Sequence, residues 1–299
     1  MAKNRHYKIG FSNVNEHNPF TVQVRENLEK LAAARDDITL IVRNNDQNTP
    51  RAIANSQEFA DADVDVAIVF HIDERNNDKV VKPLRDKSIP IMCIDIPISF
   101  TVYFGLDNRR VGEEAGIVLA NWINENWDGQ IDKTLVVAEY RLLELFQQRF
   151  LRAVDMLGEH VKEFKKSDVL FLDNGGTPEI TSERVAAVLD RWQDHHHIAV
   201  VCMNDDVAIG TLDAIYKRGR VADTALLSHD GTHVAIAEFE KEKSPLIVST
   251  KLYPEVYGDR LIELAIRIAD GEKVPMWNYA DTIPLTRENF HVKAKSLEG

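Results

Sequence analysis

Short apolar runs alternate along the chain with stretches whose apolar residues recur every three or four positions. After Tyr7 to Phe11, runs near 38–43, 66–70 and 91–94 read as strands, and segments near 19–34, 51–61 and 77–87 between them read as helices. Past Tyr103 to Asn108 the cycle restarts, with strands near 134–139, 168–172, 198–202, 225–228 and 247–251. The helical readings rest on single apolar stripes: Phe146, Phe150, Val154 and Leu157; Val185, Val188, Leu189 and Trp192; Tyr257, Leu261, Leu264 and Ile268. Repeated strand–helix–strand units imply mostly parallel sheets, so the pattern predicts an α/β chain of two similar halves. No Ser/Gly-rich or low-complexity tract separates them, which places the join within folded structure.

With 299 residues, 44% of them apolar, the chain has enough core-forming material for two lobes. Its formal net charge of −12 repels phosphate backbones and anionic lipid, so nucleic acid and membrane surfaces are not expected as direct partners. No run of 18 apolar residues suggests a membrane span, and Met1 to His6 lead into no apolar signal segment. Cys93 and Cys202 sit inside apolar strand runs and read as buried, free thiols.

Candidate chemistry collects where strands end. Asn18 follows the first strand, His71 follows Ile68-Val69-Phe70, and Asp95 follows Met92-Cys93-Ile94. In the second half Asn204 and Asp205 follow the run ending at Met203, Asp230 follows Leu226 to His229, and Lys251 closes Ile247 to Thr250. In α/β sheets the loops beyond the carboxyl ends of strands hold ligands, so these groups are the binding candidates. Asn18-Pro19 also reads as an N-cap followed by a first-turn proline, and Phe20 as either a core residue or a ring facing ligand. No nucleophile–base pair or cofactor loop is present, so no enzyme and no cofactor is expected. The run His195-His196-His197 has no further ligand at zinc spacing, and no metal site is expected. Asp173 to Pro178 lacks the lysine of a phosphate loop and reads as a turn.

Four short stretches together resemble the type I periplasmic sugar-binding proteins, in particular the ribose- and galactose-binding group of solute-binding proteins of ABC importers: Asn18-Pro19-Phe20, Asp107-Asn108, Met203-Asn204-Asp205-Asp206 with Ala208-Ile209-Gly210, and His229-Asp230-Gly231-Thr232. The resemblance implies two Rossmann-like lobes with parallel central sheets, joined by a three-crossover hinge, and a ligand cleft between them. It implies an N-terminal lobe of 1–106 plus 253–277 and a C-terminal lobe of 107–252 plus 278–299. It further implies a monomer that captures a small neutral sugar or polyol between closing lobes and delivers it to the membrane subunits of an ABC importer. The expected location is then periplasmic or extracytoplasmic, any signal peptide having been removed. Asn18, Phe20, Asp95, Asn204 and Asp230 supply the amide, ring and carboxylate groups that such a ligand needs, with His71 and Asp107 as further candidates.

The chain also departs from that pattern. Ile96 and Pro97 follow Asp95 where the ribose-binding branch has an arginine, and a second family arginine falls on Phe146, with Arg149-Phe150 in place of Gly-Phe. Arg141 is the nearby candidate to replace it, and Lys251 stands one position from the family's glutamine. The alternative class is the effector-binding domain of a lactose-repressor-like regulator, which uses the same pocket. Against it, such regulators usually carry Asp-Asp where this chain has Asp230-Gly231.

Overall fold

The computed structural model describes residues 5–139 and 143–293. The chain divides into two units, one running through Leu106 and taking up again from Tyr253 to Asp281, the other from Asp107 to Leu252 and from Thr282 onward.

The first unit contains β1 (Tyr7–Asn13), α1 (Pro19–Ala33), β2 (Ile38–Asn44), α2 (Thr49–Asp61), β3 (Val66–Val69), α3 (Asn77–Asp86), β4 (Ile91–Ile94) and β5 (Val102–Gly105). The second contains α4 (Asn108–Asn126), β6 (Lys133–Ala138), α5 (Glu144–His160), β7 (Val169–Asp173), α6 (Pro178–Arg191), β8 (Ile198–Cys202), α7 (Asp205–Lys217), β9 (Thr224–Asp230), α8 (His233–Glu240) and β10 (Leu246–Leu252). The chain then returns to the first unit as α9 (Tyr257–Ala269) and β11 (Trp277–Tyr279), and to the second as β12 (Thr282–Leu285) and α10 (Phe290–Lys293).

Both sheets follow one plan. Their orders are β11-β5-β4-β3-β1-β2 and β12-β10-β9-β8-β6-β7. All pairings are parallel except that of β12, which runs antiparallel beside β10. The inner strands are buried on both faces, so alternate residues serve different cores. Val66 and Ile68 pack with Val24, Leu28 and Leu261, while Ala67 and Val69 pack with Phe59, Val80 and Leu84. In the second unit Leu135, Val137 and Leu226 face Val185, Leu189 and Leu212, whereas Val136, Val201 and Leu227 face Leu119, Phe150 and Leu157. The last return crossing lies after Asp281, beyond the 277/278 boundary read from the sequence, because β11 pairs in register with β5 through Tyr279↔Gly105.

Helix α4 packs unusually close to α5. A methyl group at Gly112 would lie 2.4 Å from the Arg149 carbonyl oxygen, and one at Gly116 would lie 2.8 Å from the Ala153 Cα. Two glycines four residues apart let the backbones meet, as small-residue stripes do wherever helices approach closely. This seam brings the first residue of α4, Asn108, against Arg149 of α5.

Candidate functional site

In each sheet the strand order reverses around the first strand: β1 lies between β2 and β3, and β6 between β7 and β8. Ligands of open parallel sheets bind beyond the carboxyl ends of the strands at such points. The candidate residues lie at those ends, three strands' worth in each unit.

In the first unit, Asn18 caps α1, its side-chain oxygen accepting from the Phe20 N–H at 2.8 Å, while the residue itself is exposed. Phe20 is half-buried and stands edge-on to Tyr257 with ring centroids 5.4 Å apart. The cap and the core reading of these two residues are therefore both realised, and their polar edge and ring edge stay at the end of β1. Asn15, which is buried, organises the loop by accepting from the N–H groups of His17 and Asn18, both at 2.9 Å.

His71 is buried just past β3 and lies 3.2 Å from the Thr49 hydroxyl, which donates to Asp73 at 2.8 Å. Because the Thr49 proton is committed to Asp73, His71 must be the donor, so the proton sits on Nε2. Nδ1 is then an acceptor, and it has no partner among the described residues. Burial, only partly offset by Asp73, lowers the pKa of this imidazole and keeps it neutral.

Asp95 is buried at the end of β4 with a positive φ of 56°. Its Oδ1 accepts from the Leu106 N–H at 3.1 Å and lies over Gly105, where a methyl group would come within 2.4 Å. One carboxylate oxygen thus fastens the chain as it leaves β5. Asp107 caps α4 by accepting from Arg110 N–H at 3.1 Å. Asp107, a ligand candidate from sequence, thus spends one carboxylate oxygen on the start of α4.

The second unit carries the densest chemistry. Asn204 caps α7 by accepting from the Val207 N–H at 3.0 Å. Lys251 stands opposite Asp230 in the register of β10 with β9. Asp230 ends β9 in a strained backbone conformation, φ 100°. Arg149 Nη1 lies 3.6 Å from Asp230 Oδ1, the two side chains being 13% and 28% exposed. Arg149 is itself held by Asn108, whose Oδ1 accepts from Nε at 3.1 Å and from Nη2 at 2.9 Å. Burial pushes the Asp230 carboxyl up to about 7, with Asp205 and Asp206 adding to the rise and Arg149 opposing it. The preceding residue, His229, is fully buried with neither ring nitrogen partnered among the described residues, and desolvation together with the Arg149 charge holds it neutral. The arrangement offers a carboxylate and a guanidinium side by side, which can accept from one hydroxyl and donate to its neighbour.

A family model described as "Periplasmic binding protein domain" matches residues 9–273. The chain belongs to this periplasmic binding protein family. A curated relative, the ribose import binding protein RbsB of Bacillus subtilis, is 23% identical over 274 residues, covering 90% of this chain and 84% of the relative. Among solved structures, an ABC transporter solute-binding protein from Agrobacterium vitis with bound allitol is similar with a TM-score of 0.80 at 17% identity, covering 99% of this chain and all (100%) of that one. Another, from Bacillus halodurans C-125 with bound myo-inositol, gives 0.78 at 17% identity, with 99% of each chain covered. These family relatives are binding proteins rather than enzymes.

Arg149 is the residue that sequence reading missed. Aligning the family motif put its arginine on Phe146, and the side chain proposed to replace it, Arg141, lies outside the described residues. Arg149 is three positions beyond Phe146, within one turn and near the same face of α5. The signal was the substitution of Arg149 for the family's glycine, which adds a guanidinium at the start of a helix facing Asp230.

Proposed function

We propose that this chain is an extracytoplasmic solute-binding protein that captures a small neutral sugar or polyol, by closure of its two lobes, and passes it as a monomer to the membrane subunits of an ABC importer. The observation that carries the reading is the Asp230–Arg149 pair at the carboxyl end of β9, flanked by Asn204 and Lys251 at the neighbouring strand ends. A carboxylate next to a guanidinium suits two adjacent hydroxyls, one donating and one accepting. The carboxylates of Asp205 and Asp206 add negative potential at Asp230, so a phosphate or carboxylate on the ligand meets an added penalty, which favours a neutral molecule. The strand-end groups of the first lobe, Asn18, His71, Asp95 and the ring of Phe20, are assigned to the same ligand, and Asp107 serves the crossing. The ribose, allitol and myo-inositol named for the relatives supply the chemical range: small, neutral and polyhydroxylated.

Mass spectrometry of small molecules released from purified protein, followed by calorimetry with pentoses, hexoses and linear or cyclic polyols, tests the proposal. The expected result is one tight neutral ligand, together with a decrease in radius of gyration by small-angle scattering when it binds. Tight binding of sugar phosphates with no binding of neutral sugars or polyols would overturn it.

A further inference from the structure

The buried carboxylate of Asp205 is not among the ligand groups assigned above, yet it accepts four hydrogen bonds at the strand ends of the second unit. It is 1% exposed and stands at the first position of α7. Its Oδ1 accepts from the hydroxyls of Ser228 on β9 and Ser249 on β10, both at 2.7 Å. Its Oδ2 accepts from the Thr232 N–H and hydroxyl, both at 2.8 Å. An ionised carboxylate can only accept, so the three hydroxyls are donors, and Ser249 Oγ in turn accepts from Gly231 N–H at 3.1 Å and Thr232 Oγ1 from Val234 N–H at 3.3 Å. Four donors occupy all that a carboxylate can offer, which fits the ionised form, and they oppose the rise in pKa that burial imposes.

Three of these four bonds lead to the turn that follows Asp230, and the fourth holds Ser228 of the strand that ends in Asp230. Thr232 and Gly231 are that turn, and Ser249 joins it to β10 two residues before Lys251. Gly231 has a positive φ of 61° and leaves no room for a side chain, a methyl group there falling 2.6 Å from the Lys251 Cα. Asp230, at φ 100°, is in a backbone conformation that an aspartate does not adopt unaided.

We infer that Asp205 is a positioning residue for the candidate ligand site: it grips the turn after β9 from below and so holds Asp230 in the strained conformation that faces Arg149. The inference rests on reading Asp230 as a ligand group, and its test uses no ligand, so a failure of the sugar-binding reading is separately visible. Asp206, the exposed neighbour of Asp205, supplies a control, because it adds the same charge near Asp230 without a bond to the turn.

In ligand-free protein, Asp205→Asn should speed amide exchange of Gly231 and Thr232 at least tenfold, with Asp206→Asn leaving both unchanged. A crystal structure of Asp205→Asn should show Asp230 turned away from Arg149. Should Asp205→Asn fail to fold, Ser249→Ala removes one carboxylate bond and the Gly231 acceptor while altering no charge. The groups that act on the Asp230 carboxyl are Arg149 of α5 and Asp205 and Asp206 of α7, while Lys251 of β10 stands opposite it in register and the neutral His229 precedes it. With all of them retained, Ser249→Ala should move the Asp230 carboxyl titration, followed by carbon-13 NMR, by at least about 0.5 pH unit, which a role confined to local stability would not do. Unchanged exchange at the turn, equal effects of the Asp205 and Asp206 variants, or an Asp230 titration unmoved by Ser249→Ala would each overturn the inference.

Discussion

Replacing Asp230 by asparagine should make the ligand-free protein more stable and a worse binder at once. In the unfolded chain this carboxyl loses its proton near 3.8, and in the fold near 7. Between those pH values the native state holds a proton that the unfolded state has released, so stability falls as pH rises through this window. At 1.36 kcal/mol per pH unit, the interval from 3.8 to about 7 corresponds to at most about 4 kcal/mol. The 28% exposure of the side chain lets water relieve part of this, leaving about 1–3 kcal/mol. Asparagine has the shape of the protonated acid and never ionises. Urea unfolding at a series of pH values should therefore give equal stabilities for parent and Asp230→Asn below pH 3.8, a gap that opens above it, and the full difference above pH 7. Calorimetry at pH 8 on the ligand identified by mass spectrometry should show the variant binding about 100-fold or more weakly, through loss of charge-assisted bonds worth about 1.5–3 kcal/mol each. A stability gap that does not vary with pH, or a variant less stable than the parent at pH 8, would refute the reasoning and show that Arg149 fully compensates the carboxylate in the fold.

Arg149→Met removes the cation opposing the rise at Asp230, so the carboxyl should titrate above 7 and affinity should fall more steeply at pH 7 than at pH 9, as measured by NMR titration and calorimetry. Gly112→Ala puts a methyl group 2.4 Å from the Arg149 carbonyl oxygen, and the forced separation of α4 from α5 should cost about 1–3 kcal/mol in urea unfolding and weaken ligand binding without touching a polar side chain. Cys93 and Cys202 are buried and unbridged, and burial pushes the Cys202 thiol up to about 12. Native protein should therefore resist a thiol reagent at pH 8, and denatured protein without reductant should consume two equivalents; a titre of none would mean a disulfide.

Much of the fold was legible because its inner strands are buried on both faces and so appear as unbroken apolar runs, such as Val66 to Val69 and Ile198 to Cys202. The start of α1 was legible from Asn18-Pro19, whose capping bond is local in sequence, while the caps made by Asp107 and Asn204 were read there only as candidate ligand groups. Strand β11 was not, since Trp277–Tyr279 is short, lies at a sheet edge and exposes both of its aromatic rings. At the site, the strand-end rule found Asp230 but not its partner, because Arg149 depends on how closely two helices pack. The Asp205 network was invisible for a related reason: its serines read as small residues within apolar strands, and they lie 23 and 44 positions away in the chain.

The order in which the two units are threaded sets when each can exist. The first unit's residues through Leu106 include neither α9, whose Tyr257, Leu261, Ile262, Leu264 and Ala265 complete one of its two cores, nor β11, its outermost strand. The second unit lacks β12, with Leu285 and Phe290 of its own core, until the chain has passed through Asp281. During synthesis from the amino terminus, neither unit closes its hydrophobic interior until almost the entire chain has been made. A fragment ending at Leu106 should bind a hydrophobic dye and aggregate, and adding a peptide spanning Tyr253 to Asp281 in trans should suppress both. A protein built this way leaves apolar surface of one core in each unit uncovered for most of its translation.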